Sequence, residues 1–505
     1  MVVEKGHVMV KCAAHARDGD SNMKRTRIAT ITVGTALAVA AMASAGTYLP
    51  GEGDIDVRVF QTTETHAFRE LDTSPFTDHL YTNRAPIDVD AAEVRGTYRG
   101  LGVSMTDASA WILSKLAPEK RRAILEAVFS PAGANLRGVR LNIGSSDYST
   151  ALYNYDETPG DVEMRHFSVA RDDHWLFPMV KEALTIKPDL FLFAAPWSPP
   201  GWMKTTGNFV DGHFKDGMEQ ALANYLIAYV KACRERGLEI RALTFQNESA
   251  LSTHGTYPSC IFTPKQGAEV TKLFVKGARA AGLATEAWIW DWDYHGATNA
   301  VAAQLADPEL RAAASAVAWH SYSAMKPEMY ALKKRYPEIR YYHTEMGPAL
   351  HDTNRRTEHW WCGKMREAFE NGCEAFTSWN LCLTDTGEPL VGPHLCAGFL
   401  EVDMETGDFK PSAQYTVFRH VGPFVKPGAE VLKADGDEDG TNVMLFRNPD
   451  GAHVLVVACV GESPNPDKKK RPRPRLYVKY NGEHKYLPLP WGKWSVTTMV
   501  FKKRP

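Results

Sequence analysis

The chain has 505 residues, enough for a barrel-sized domain with an appended module, and 58 Lys+Arg against 60 Asp+Glu leave it almost neutral. So balanced a charge gives no footing for nucleic acid or a polyanionic substrate, and it favours a neutral one. Aromatic residues make up 10% with 13 Trp, a supply that serves either a core or stacking platforms.

Met23 opens a short basic segment (Lys24, Arg25, Arg27), followed by small and apolar residues over 28–42 and then Ala43-Ser44-Ala45. This order, ending in an A-x-A pattern, predicts a signal peptide cleaved after Ala45 and hence a secreted or periplasmic protein. The apolar stretch is too short and too rich in Ala and Thr for a convincing membrane span. The residues ahead of Met23 read as an upstream extension, and 1–45 are set aside from the fold. Positions 46–95 follow, with a strand pattern over 54–65.

From 96 to 415, short β-type runs alternate with longer helical patterns, the signature of parallel βα units. Strands are predicted at 100–104, 138–143, 190–196, 241–246, 286–291, 316–320, 340–344 and 374–379. Helices are predicted between them, for example at 119–129 and 218–236. Eight such strands predict a (β/α)8 TIM barrel of the α/β class. From 416 to 505 the pattern turns to strands and turns, with strands at 443–446, 452–459, 476–480 and 495–501 and a turn at 448–451. Together with 46–95 this predicts an attached all-β sandwich built from both termini. The basic loop 467–475 reads as a solvated excursion, with a peripheral contact to anionic lipid or a cell-surface polymer as its alternative.

Beyond the leader the Cys count is seven and irregularly spaced, which implies buried thiols and at most one bridge. No C-x-x-C, H-E-x-x-H, G-x-G-x-x-G or Walker motif is present, so neither a metal nor a cofactor is expected.

Barrel chemistry gathers at the C-terminal strand ends. There Asn247-Glu248 follows the fourth predicted strand and Glu345 the seventh. Two carboxylates so placed predict a glycosidase, one acting as proton donor and the other as nucleophile. Asn247 can bond a sugar 2-hydroxyl, and Arg140 and Tyr322 are the candidates that keep Glu345 charged. His320 reads equally as a hydroxyl-binding or orienting residue and as a packed histidine. Trp197, Tyr257 and Trp379 are candidate walls for a sugar ring. Asp107, Asp147, Asp291, Asp293 and Asn380 fall on the same rim.

The run Gly102-Val-Ser-Met-Thr-Asp107, Arg140-Leu-Asn-Ile-Gly-Ser-Ser-Asp147, Ala195-Pro-Trp197-Ser-Pro-Pro-Gly-Trp-Met-Lys-Thr-Thr-Gly207, Asn247-Glu248, Trp319-His320-Ser-Tyr322, Thr344-Glu345 and Ser378-Trp379-Asn380-Leu381 resembles glycoside hydrolase family 30, in its glucosylceramidase-like members. The resemblance covers the barrel nearly end to end and continues through Lys410-Pro-Ser-Ala-Gln-Tyr415 into the β-module. It implies a retaining mechanism with Glu248 as acid/base and Glu345 as nucleophile. It also implies a glycone site lined by Asp147, Trp197, Asn247, His320 and Trp379, with Tyr257 and Tyr322 near the pair. Ser249 departs from the proline usual after Asn-Glu, which predicts a looser acid/base turn, and the loop 384–396 is shorter than the family pattern. The expected activity is an exported retaining β-glycosidase acting on β-glucosidic bonds of a glycolipid or glucan. The alternatives are an endo-β-1,6-glucanase or β-xylosidase of the same family, and a non-catalytic carbohydrate-binding protein.

Overall fold

The structure, a computed structural model, describes residues 49–50, 55–71, 87–294, 297–348, 350, 357–434, 440–460, 475–480, 483–488 and 494–503. The predicted leader 1–45 and all but the last residue of the basic loop 467–475 lie outside the described residues. Among the described residues no helix is long and apolar enough to cross a membrane.

Eight parallel strands close into a barrel in chain order: Gly100–Met105, Gly138–Ile143, Phe191–Pro196, Ile240–Thr244, Glu286–Asp293, Ala314–His320, Arg340–Glu345 and Cys373–Ser378. Each falls within a few residues of its predicted span. The run Val139, Leu141 and Ile143 shows why the second forms: β-branched and apolar residues sit at period two, and the strand is buried on both faces. The ring closes where the eighth strand pairs with the first, with Phe376 opposite Leu101 and Thr377 opposite Gly102. A Cβ at Gly102 would lie 2.9 Å from Thr377 Oγ1 and 3.1 Å from the Gly138 carbonyl, so this seam requires glycine.

The intervening helices follow from their caps and apolar spacing. Pro118–Phe129 begins with proline in its first turn and buries Ile124, Leu125, Val128 and Phe129 on one face. Thr263 and Gln266 form a reciprocal capping box at the start of Pro264–Ala280. The predicted helix 218–236 is observed as Glu219–Glu235.

Strand Ile55–Thr63 pairs antiparallel with Trp494–Lys503, which joins the two ends of the chain into one sheet with His453–Val460, Thr441–Arg447, Ala429–Leu432 and Val94–Tyr98. A smaller sheet, Glu483–Pro488, Arg475–Tyr480 and Ile87–Asp88, completes the β-module. The large sheet is apolar on both faces for a physical reason. Val443, Leu445, Leu455 and Val457 pack into the module's own core, while Met444, Phe446, Val454 and Val456 join the core of the barrel. The helix Ala413–Val421 spans the point where the barrel pattern gives way to the β-module. Cys233, Cys260, Cys362, Cys373, Cys382, Cys396 and Cys459 are all free thiols, and only Cys396 is not fully buried.

Candidate active site

At the C-terminal mouth of the barrel, carboxylate oxygens of Glu248 and Glu345 and a ring nitrogen of His320 lie within 4.8 Å of one another. Glu345 ends the seventh strand, and each of its oxygens takes a donor: Arg140 on Oε2 and the Tyr322 hydroxyl on Oε1 at 2.8 Å. Arg140 is itself 1% exposed, so the pair is desolvated. Breaking a buried pair of this kind costs about 3–5 kcal/mol, so Arg140 fixes the geometry as well as the charge.

Glu248 sits four residues beyond the end of the fourth strand in the left-handed backbone region, at φ 46°. A non-glycine residue stays there only when its surroundings hold it. Here the Glu248 N–H donates to the Asp291 carbonyl at 2.9 Å and the Glu248 carbonyl accepts from Leu251 N–H at 2.9 Å. The next residue, Ser249, is tied down as well, its carbonyl accepting from Phe262 N–H at 2.7 Å. Burial raises the Glu248 carboxyl above its ordinary value of 4.5, against the pull of the His320 hydrogen bond. A shift in this direction is what a general acid requires.

His320 is fully buried between carboxylates, with Nδ1 2.9 Å from Glu248 Oε1, Nε2 3.3 Å from Asp291 Oδ1 and 3.9 Å from Glu345 Oε2. Burial alone would lower its pKa, but Glu345, Asp291 and Glu248 together push it up to about 10. As an imidazolium it donates from both nitrogens, to Glu248 and to Asp291, and so fixes the two carboxyl groups relative to one another. The same hydrogen bonds, with those of Arg140 and Tyr322, engage all three side chains within the protein.

Asp291 is the residue whose weight the sequence did not reveal. Its Oδ2 accepts from Arg140 at 2.9 Å and from Thr244 at 2.7 Å, and its Oδ1 accepts from His320 and from Thr344 at 2.8 Å. Burial opposes its charge, but Arg140 and His320 hold the carboxyl far below the ordinary range. Through its carbonyl and its carboxylate, Asp291 sets the backbone of Glu248 and the orientation of both cationic neighbours. A register shift between Trp290 and Trp292 breaks the strand's alternation here. Asp291 turns inward, while Asp293 instead accepts the Ser323 N–H at 3.1 Å. Alternation read along Trp-Ile-Trp-Asp-Trp-Asp could not separate the two.

The other expected residues converge on the same cleft. Asn247 Oδ1 accepts from Arg140 at 2.8 Å. Trp197 and Trp379 stack at 5.2 Å and 22°, and the Arg140 guanidinium lies 4.8 Å from the Trp197 ring centre. Tyr257 is buried within electrostatic range of Asp147, Glu248 and Glu345. Burial, followed by the nearby charges of Glu345 and Glu248, pushes the Asp147 carboxyl well above its ordinary value. Asp147 Oδ1 and Asn380 Nδ2 are buried without a hydrogen-bond partner among the described residues, so they are poised for a bound hydroxyl. Asp107, by contrast, is consumed by the fold, because it accepts from Thr150 N–H at 2.7 Å and Trp175 Nε1 at 2.6 Å.

The loop 384–396 is fastened to the residues after the second strand. Val391 and Gly392 N–H groups donate to the Asp147 carbonyl at 2.7 and 3.2 Å, and the Tyr148 hydroxyl donates to the His394 carbonyl at 2.5 Å and accepts from Cys396 N–H at 2.6 Å. Tyr148 carried no sequence signal beyond its place after the second strand.

A (β/α)8 barrel with two carboxyl groups facing each other at its mouth, one raised in pKa by burial and one paired with arginine, is the arrangement of an O-glycosyl hydrolase. The glycosyl hydrolase family 30 TIM-barrel domain matches residues 98–421, and the chain belongs to that family. Among curated relatives it is 26% identical to an endo-1,6-beta-D-glucanase of Neurospora crassa, over 74% of this chain and 81% of that protein. It is 27% identical to the lysosomal acid glucosylceramidase of Mus musculus, over 71% of this chain and 74% of that one. Among solved structures, SrfJ from Salmonella typhimurium superimposes with a TM-score of 0.79 at 23% identity, covering 88% of this chain and 99% of its own.

Proposed function

We propose that the enzyme hydrolyses β-glucosidic bonds with retention, by double displacement. Glu345 attacks the anomeric carbon and forms the glycosyl–enzyme ester while Glu248 gives its proton to the leaving oxygen. Glu248 then takes a proton from water as that water attacks the ester, which frees the sugar and restores both carboxyl groups. The observation that carries this is the approach of one Glu248 oxygen to within 4.8 Å of one Glu345 oxygen. An inverting enzyme needs roughly 6.5–9.5 Å between its carboxyl groups to seat a water. Asn247, whose carbonyl oxygen is held by Arg140, offers its amide NH2 to the 2-hydroxyl, and Asp147 and Asn380 take further hydroxyls above the Trp197–Trp379 stack. Both carboxyl groups and their donors are in place, which favours turnover over a purely sugar-binding role.

A glucosyl donor is supported by relatives named for a glucan and for glucosylceramide, which differ in what leaves. The 384–396 loop is tied to Asp147 and Tyr148 beside the glycone site, and the leaving group is a lipid or a further sugar. We also propose export through the leader ending at Ala45. A panel of aryl β-glucoside, aryl β-xyloside, β-1,6-glucan and glucosylceramide is expected to show hydrolysis of the β-glucosides. Inactivity on every β-glucoside, with activity on the xyloside, would overturn the choice of sugar.

A further inference from the structure

At the opposite end of the barrel the strands do not fill their own floor. A cavity of about 310 Å3 opens there, lined among others by the rings of Phe191, Trp288 and Tyr342 and by Gly100, Gly102 and Gly138. Barrel floors are ordinarily packed by side chains. Here the third, fifth and seventh strands supply large rings while the first and second supply glycine, and the mismatch leaves the space. The three rings are nearly parallel, with Trp288 and Tyr342 at 4.3 Å and 9° and Phe191 and Trp288 at 5.8 Å and 9°. They present an aromatic wall.

Steric need does not explain every glycine. A Cβ at Gly138 would meet its nearest atom, Gly102 Cα, at 3.4 Å, an ordinary contact, and its backbone is not left-handed. A side chain could fill the space from this position, and none does. Three arginines, Arg99, Arg137 and Arg340, are among the lining residues, with Asp189 the single acidic one. Their other acidic partners, Glu374 and Glu286, lie outside the lining. Among the described residues each arginine gives one or two of its five N–H groups to acceptors of the chain, for example Arg137 to Asp189 at 2.8 Å and Arg340 to Glu286 at 2.6 Å. Thr97 and Arg99 at the mouth are exposed, so the cavity is reached from solvent.

We propose that this floor is a second ligand site, separate from the catalytic mouth, that binds a small aromatic anion. Its ring lies against the Phe191–Trp288–Tyr342 wall and its charge meets the arginines. The volume is at the lower end of the range of about 300–1,000 Å3 for small-molecule pockets, which limits the ligand to two or three rings.

The test uses the fluorescent probe 8-anilinonaphthalene-1-sulfonate and its neutral counterpart N-phenyl-1-naphthylamine on the whole protein. The anion is expected to bind saturably at one site per chain, and the neutral probe at least about tenfold more weakly. Gly138→Leu, which fills the cavity, should weaken the anion at least about tenfold without changing glycoside hydrolysis. Thr97→Trp blocks the mouth from an exposed position, and it decides the matter if Gly138→Leu does not fold. Absence of a saturable site in the wild type, or wild-type affinity in the folded variants, would overturn the site. Equal affinity for the two probes would overturn the role of the arginines.

Discussion

Replacing Glu345 by Gln is expected to lower kcat by roughly 10^4-fold or more, the scale on which loss of a covalent nucleophile is felt. The amide is nearly isosteric and keeps an acceptor for either Arg140 or Tyr322, so the change falls on chemistry rather than on shape. Asp147, Asn247 and the Trp197–Trp379 stack remain, so the sugar should still bind with little change in Kd. Cutting the residue back to Ala and adding azide should restore turnover and yield the α-glycosyl azide, because the anion enters from the face the carboxylate occupied. Full activity in Glu345→Gln would show that another group performs the attack.

Glu248→Gln should behave differently, and the difference identifies the acid. A leaving group as acidic as dinitrophenol departs without a proton, so formation of the glycosyl–enzyme should slow by only about tenfold on such a substrate. A sugar or alkyl leaving group needs the proton, and its release should slow by roughly 10^2–10^4-fold. The pH profile carries the same information. Burial raises the Glu248 carboxyl above 4.5, and the acid works only while protonated, so kcat/KM of the wild type should fall as pH rises through that raised value. In Glu248→Gln this alkaline limb should vanish. An alkaline limb that survives unchanged would assign it to another group. His320, held as an imidazolium up to about pH 10, should itself titrate only in strongly alkaline solution.

The barrel was legible because its strands are short apolar runs separated by helices of the right period, and each of the eight predicted strands has its counterpart in the structure. The β-module was legible in outline, since alternation failed only where the large sheet is buried on both faces, as at His453–Val460. Ala429–Leu432 and Glu483–Pro488 escaped because short strands follow their long-range partners more than their own composition. Within the site, residues at strand ends were found because the topology places strand ends together. Asp291 was seen as a rim residue but not as the hub, because its inward turn depends on a bulge and on a backbone at φ 53°. Tyr148 and Gly392 were missed because their role is to dock one loop on another, a relation with no local pattern.

The enzyme's central claim is retention with Glu248 opposite Glu345, and the most direct measurement is the anomeric configuration of the first sugar released. Proton NMR of an aryl β-glucoside digest, followed from the earliest minutes, should show β-glucose forming first and the α-anomer appearing only by mutarotation. If α-glucose forms first, a single inverting displacement has occurred, and the close carboxyl pair is not the nucleophile and acid/base described.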